Sequence, residues 1–197
     1  MITKRFFDLF FALLSLLLLS GILLLCLMIA SIDTKSFGLF VQDRIGQHGK
    51  TFRIYKIKSF SDTTQKVTSF GCFLRASKLD ELPQLFNIIL GQMSFVGPRP
   101  DIPGYADVLP EKDRLLLNLK PGLTGLASLK YRDEEHLLST QPNPLQYNDT
   151  IIWPDKVRLN NWYAQHRTFT MDLTLLFYTA LPFLSFDAEK YIAERGG

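Results

Sequence analysis

The stretch "SKLDELPQLF", Ser77 to Phe86, sets two carboxylates side by side, Asp80 and Glu81, just ahead of a Leu-Pro step and an apolar run. Neighbouring residues on a regular helix point about 100° apart, so the two acids cannot face each other as a dyad within one. Pro83 lacks an N–H and is tolerated only in a first helical turn, which places Asp80 at or near an N-cap. Two acids there converge just beyond the helix end, where unpaired N–H groups and the dipole favour anions and keep a carboxylate ionised. Taken alone, such acids are ordinary caps, and Ser77 with Asp80 has the spacing of a capping box with Asp in place of Glu or Gln.

The company this pair keeps changes its reading. In "VGPRPDIPG" the prolines flanking Arg99 stiffen the backbone, so its guanidinium can be aimed at a diphosphate with little entropy lost. Arg132 in "KYRDEE" is a second candidate, although its spacing alone reads as a surface salt bridge to Asp133, Glu134 or Glu135. Arg75, five residues before Asp80, has a structural reading as good as a functional one.

The elements that must hold these groups follow from local pattern. "GLFVQDRI" (38–45) and "TFRIYKIK" (51–58) are β-rich runs joined by "GQHG", a hairpin with a glycine-bearing loop. Residues 61–69 read as a polar loop, and Leu79 to Leu90 as a helix with Gly91 past its end. "VGPRPDIPG" must be a rigid extended path, Glu111 to Leu119 has helical spacing, and "KPGLTG" favours a tight turn at Pro121-Gly122. Residues 139–154, with three prolines and several asparagines, read as a surface loop; a helix follows from about Pro154 through Ala164. The apolar stretch Met171–Phe186, broken by Pro182, is too short to span a bilayer and suits an interface or a core.

From Leu9 to Ala30 every residue is apolar or small, enough helix (about 33 Å) to cross the hydrocarbon of a bilayer. The run is too long for a cleavable signal and lacks a small-x-small cleavage site. Cys26 lies within it and Cys72 stands alone, so both read as packing residues in a reducing compartment. A formal charge of +3 is too small and too dispersed for nucleic acid, but suits anionic headgroups. The fold class expected is mainly α with a small β-hairpin (α+β), residues 1–33 forming a membrane helix and 34–197 a second domain resting on the bilayer.

"KRFFD" before a lipid helix, "FRIYKIKSF", "LDELPQLFNIILGQMSFVGPRP" and "KPGLTGLA", in that order, strongly resemble the bacterial sugar transferase family, the small monotopic phosphoglycosyl transferases. The resemblance runs from about Lys4 to Asp172. It implies transfer of a phospho-sugar from a UDP-sugar to undecaprenyl phosphate with release of UMP, using Mg²⁺ and a covalent aspartyl intermediate, as the first membrane step of glycoconjugate assembly. It further implies that Asp80 is the nucleophile and Glu81 its partner, both near the metal. Arg99 and Arg132 would contact phosphate, and Lys56 or Lys58 would lie near the active site, against a solvated strand face as the bland alternative. The implied location is the cytoplasmic face of the bacterial inner membrane, and a homodimer is compatible with it.

Relatives usually break the membrane helix at Ser-Pro so that it enters and leaves on one side; here the corresponding pair is Ser20-Gly21. Glycine permits a bend without enforcing one. A straight span with Lys4 and Arg5 inside would put Asp80 outside, away from UDP-sugars, so the function implied demands re-entry. Gln92 stands where relatives often have an acid and Ser128 where many have Gln, positions expected to tune nucleotide or sugar contacts. The alternative from another class is a membrane-anchored scaffold without turnover, against which the intact Asp80, Glu81, Arg99 and Arg132 argue. A signal-anchored extracytoplasmic domain would require the bulk of the chain outside.

Overall fold

The computed structural model describes residues 2–195. Contacts gather them into two compact units, one of residues up to Arg44 with Thr51–Ser94, the other of Ile45–Lys50 with residues from Phe95 on. The chain is mainly helical, with two small two-stranded sheets, β1-β2 and β3-β4.

The first unit opens with α1, Ile2–Thr34, which among the described residues is the one helix long and apolar enough to cross a membrane. Its 33 residues correspond to about 50 Å. Helical structure continues through Ser20 and Gly21, with Ser20 Oγ donating to Leu17 O. The buried positions Asp8, Ala12, Leu23, Cys26, Ala30 and Thr34 recur at helical spacing and form one stripe along α1. Leu23, Cys26 and Ala30 pack with Ile57 and Leu74, while Phe6, Phe10, Leu13, Leu17, Leu24 and Met28 are exposed.

The hairpin forms as its alternation predicts, with β1 at Leu39–Ile45 and β2 at Thr51–Ile57. A helix not anticipated, α2 at Ser69–Ala76, follows the polar loop; Thr68 caps it by accepting from Gly71 N–H. Gly71 has no alternative, because a Cβ there would meet Ser59 O at 1.9 Å. Cys72 is exposed on α2 and, unlike Cys26, is not a packing residue. A 3-10 turn, Leu79–Glu81, then leads into α3, Gln84–Ile89, which ends as expected with Gly91 at positive φ.

β3, Ser94–Val96, begins on the last residue of the first unit and leads into the extended proline path of the second. The tight turn expected at Pro121-Gly122 is replaced by β4, Gly122–Thr124, paired with β3. Its cause is close backbone approach: a Cβ on Gly97 would lie 2.3 Å from Lys120 O, and one on Gly125 2.3 Å from Gly97 O. Glu111–Asn118 is helical, as a 3-10 segment. α4 (Leu126–Lys130) follows β4.

The surface loop expected over 139–154 is largely helical instead, as α5 (Glu134–Ser139), α6 (Pro144–Tyr147), a π turn (Asn148–Ile152) and α7 (Trp153–His166). Proline supplies the starts and the detour. Pro144 occupies the first turn of α6, where its missing N–H costs nothing. Pro154 has no N–H to give the preceding turn, and the π turn, in which Trp153 N–H reaches Asn148 O, carries the helix past it. α8 (Phe169–Ala180) stops before Pro182, and α9 (Ala188–Ala193) closes the unit. Its core joins Leu126, Leu159, Tyr163, Met171, Leu175 and Tyr191.

Charge ties this core at its edge. Lys130 Nζ donates to Asp155 Oδ2 and Glu189 Oε1, each at 2.6 Å; Arg158 bonds the same two acids, and Tyr131 O–H donates to Asp155 at 2.7 Å. Burial alone would raise the Asp155 carboxyl, but bonds from Lys130, Tyr131 and Arg158 outweigh it and hold it below its ordinary range. The Lys130 bond does the same for Glu189 against slight burial. Since both folded-state values are depressed, their stabilisation is present above about pH 4 and lost as pH falls through the lowered values. Asp155→Asn should therefore cost about 1–3 kcal/mol at pH 7 and flatten the acid side of the stability profile, as read by thermal unfolding in detergent from pH 7 to 3.

Candidate active site

The acid pair belongs to the first unit. Lys78 precedes it with φ 58°, a left-handed conformation that costs a residue bearing a Cβ about 1–2 kcal/mol. The turn it introduces closes through Leu82 N–H to Leu79 O, and Pro83 then starts α3. Asp80 thus lies within the 3-10 turn rather than at a helix N-cap. Nor does the capping box form, because Ser77 ends α2 and its Oγ donates to Phe73 O and Leu74 O. Both corrections have one origin: α2 stops immediately before the acids and takes the hydroxyl the box would need.

Asp80 is buried, with 8% of its surface exposed. Beside it Glu81, 12% exposed at its side chain, accepts from Lys56 Nζ at 3.1 Å. Lys56 is delivered by β2, and β2 is latched to α3 by Asn87, which is fully buried. Asn87 Oδ1 accepts from Tyr55 N–H at 3.3 Å; its Nδ2 donates to Arg53 O and to Gln92 Oε1, both at 2.7 Å. Gln92 is therefore the acceptor that orients Asn87. Lys58 turns elsewhere, pairing with Asp62 and lying 5.4 Å from the centroid of the Phe60 ring. Arg75 Nε donates to Ser59 Oγ at 2.9 Å.

Arg99 and Arg132 belong to the second unit. On the extended proline path, Pro98 and Pro100 are buried while Arg99 between them is exposed. Gly97 N–H to Thr124 O (2.9 Å) and Gly122 N–H to Pro98 O (2.8 Å) hold that path against β4. Arg132 makes none of the salt bridges its neighbours offered. Its Nη2 donates to Tyr178 O at 2.6 Å and its Nη1 to Pro182 O at 3.0 Å, at the carbonyl end of α8, where a cation also suits the dipole. Ser128 is half-buried in α4.

Sequence reasoning brought out Lys56, Asp80 and Glu81 and missed Asn87 and Lys78. Asn87 left one signal, an amide inside the apolar run Leu85–Leu90. Lys78 left none, since only backbone geometry marks it.

Chemically, the turn offers two neighbouring carboxylates, one steadied by a lysine and one buried. Such a set can supply an anionic nucleophile or ligands for a hard cation. Lys56→Met would leave Glu81 buried without this cation and should destabilise the protein by about 2–4 kcal/mol. Adding Glu81→Gln should recover part of that loss, a coupling of about 1 kcal/mol or more in a double-mutant cycle followed by unfolding in detergent. Additive losses would mean that the pair contributes nothing as a pair.

The model of the bacterial sugar transferase family matches residues 1–185. An uncharacterized sugar transferase of Bacillus subtilis, EpsL, is 33% identical over 189 residues, covering 91% of this chain and 86% of its own. The UDP-glucose:undecaprenyl-phosphate glucose-1-phosphate transferase of Klebsiella pneumoniae is 32% identical over 91% of this chain, which spans only 39% of that protein. The undecaprenyl-phosphate galactose phosphotransferase of Salmonella typhimurium is 29% identical over 72% of this chain and 32% of its own length.

Proposed function

The chain belongs to the bacterial sugar transferase family, and we propose that it is a phosphoglycosyl transferase moving a sugar phosphate from a UDP-sugar to undecaprenyl phosphate with release of UMP. The observation that carries this reading is the buried Asp80 beside a Glu81 held by Lys56, in a chain two of whose relatives are named for sugar-phosphate transfer with undecaprenyl phosphate.

In the reaction, an Asp80 carboxylate oxygen attacks the phosphorus that bears the sugar. The bond between that phosphorus and the bridging oxygen breaks, and the oxygen leaves on UMP. A phosphate oxygen of undecaprenyl phosphate then attacks the same phosphorus; the Asp80–phosphorus bond breaks, giving the diphosphate-linked lipid and free carboxylate. Two displacements let nucleotide and lipid use the site in turn, so ping-pong kinetics are expected.

An anion approaching a diphosphate is repelled, and the site must offset that charge. Among the described residues no group of three or more His, Cys, Asp or Glu could cage a metal alone. Two carboxylates completed by substrate phosphates are the usual set for Mg²⁺, which Asp80 and Glu81 fit. Bound there, Mg²⁺ would neutralise charge on the diphosphate. Lys56 orients Glu81 through their ion pair, and Arg99 and Arg132 are the proposed phosphate ligands. For Arg132 this requires release of the α8 carbonyls.

For the membrane we propose re-entry of α1 from the cytoplasmic face of the inner membrane, with the apolar face in lipid. Support comes from the two ends of α1. Arg5 donates to Ile88 O and Ile89 O, while Leu23, Cys26 and Ala30 pack on Ile57 and Leu74 of the same unit. A helix crossing the bilayer would put Arg5 and Ala30 on opposite sides of the hydrocarbon, whereas both regions contact the one unit that carries the acids. Because Ser20 and Gly21 are helical, re-entry here is a bend within the helix.

Purified protein given Mg²⁺, undecaprenyl phosphate and a panel of UDP-sugars including UDP-glucose and UDP-galactose should release UMP. Asp80→Asn should abolish release, and donor alone should leave a sugar-phosphate adduct on the wild-type peptide bearing Asp80; normal turnover by the variant would remove the nucleophile assigned. In sealed cells, Thr3→Cys and Lys112→Cys should both be labelled only from the cytoplasmic side, and opposite sides would exclude re-entry.

A further inference from the structure

The proposed chemistry does not use Arg5, whose position is peculiar for a charge at the start of a lipid-facing helix. Its guanidinium is forked onto two successive carbonyls, Nη1 to Ile88 O at 2.6 Å and Nη2 to Ile89 O at 2.8 Å. These are the last residues of α3. Ile88 O also accepts from Gly91 N–H at 3.0 Å, but the last carbonyls of a helix gather the negative end of the dipole and have lone pairs to spare, so a planar cation with paired donors is a matching group. One turn further along α1, Asp8 is buried, and Ala12 after it is fully buried. The protein-facing stripe of α1 therefore begins at this contact.

α3 is also the element on which the acid pair depends. It starts three residues after Glu81, and Asn87 within it holds the strand that carries Lys56 to Glu81. At six residues it is too short to be stable by itself, and its placement comes from what grips it. Asn87 grips it from the β2 side and Arg5 from α1.

We propose that Arg5 is a positioning residue that registers the lipid-facing helix against the catalytic turn by forking onto the end of α3, and that the fork, beyond its charge, sets turnover. This rests on the reading that Asp80 and Glu81 carry the reaction. A role in orienting the helix by positive charge would be served equally by lysine; two adjacent carbonyls held by one planar group would not.

Full-length wild type, Arg5→Lys and Arg5→Ala would be compared in nanodiscs for UMP release with undecaprenyl phosphate and the UDP-sugar that the panel selects. Hydrogen exchange of the peptide covering residues 84–91 would be followed alongside, with α7 as internal reference. For Arg5→Lys the expected result is a kcat lower by about tenfold, the loss of one charge-assisted bond, with the KM for donor within about twofold. Faster exchange over 84–91, with α7 and the labelling side of Thr3→Cys unchanged, should accompany it. Wild-type kcat in Arg5→Lys would overturn the proposal, as would a fallen kcat with unaltered exchange over 84–91 or an inverted topology. Absence of UMP release from the wild type would instead sink the transferase reading, and the exchange comparison would still decide whether Arg5 holds α3.

Discussion

Two adjacent carboxylates in a turn largely closed to water form an unfavourable arrangement, since burial and like charge both oppose ionisation. The first unit is organised around offsetting that cost. Lys56 meets Glu81, but a lysine is flexible and its ion pair is only as well placed as its strand. The strand is fixed by Asn87, whose amide satisfies one N–H and one C=O of β2 while Gln92 sets its orientation. A chain of neutral hydrogen bonds thus fixes a charge. The left-handed Lys78 shows the same priority, because backbone strain is accepted where it turns the acids inward.

The second unit reaches rigidity by other means. Around Arg99 the stiffening groups are prolines and close-packed glycines, which restrict the backbone itself. Arg132 is the opposite case: its guanidinium is itself spent on structure, donating to Tyr178 O and Pro182 O where α8 ends. Stability meanwhile rests on the linked charges of Lys130, Asp155, Arg158 and Glu189, which join α4, α7 and α9.

How far the sequence could be read follows from the range of the interactions involved. The hairpin, α1 and the Gly91 end of α3 are set by alternation, apolar length and positive φ, all local, and all were legible. The expected loop over residues 139–154 is largely helical because its prolines do not act as breakers: Pro144 starts a helix and a π turn absorbs Pro154. β4 was hidden because a Pro-Gly step looks like a turn until Gly97, some 25 residues away, comes up against it. Within the site, Lys56 and Lys58 share one face of a strand by alternation, and only Asp62 and Asn87 decide between them. The acids themselves were visible as types, but their chemistry came from the resemblance of whole motifs, since a lone Asp-Glu pair reads as a cap.

α1 illustrates a further limit of reading by composition. A hydropathy window sees 22 apolar or small residues and reports a span, yet the buried stripe from Asp8 to Thr34 divides the helix into a side that faces protein and a side that does not. Of the polar residues near its ends, Asp8 and Thr34 are buried and Arg5 bonds the carbonyls that end α3, while Thr34 Oγ1 donates to Ala30 O within α1 itself. A tether needs only length and greasiness, and any apolar sequence could replace it. A helix that presents a guanidinium to the end of α3 and small residues, Ala12 and Ala30, to close packing is under the same geometric constraints as a core element, so its sequence is specified by the acid-bearing unit as much as by lipid.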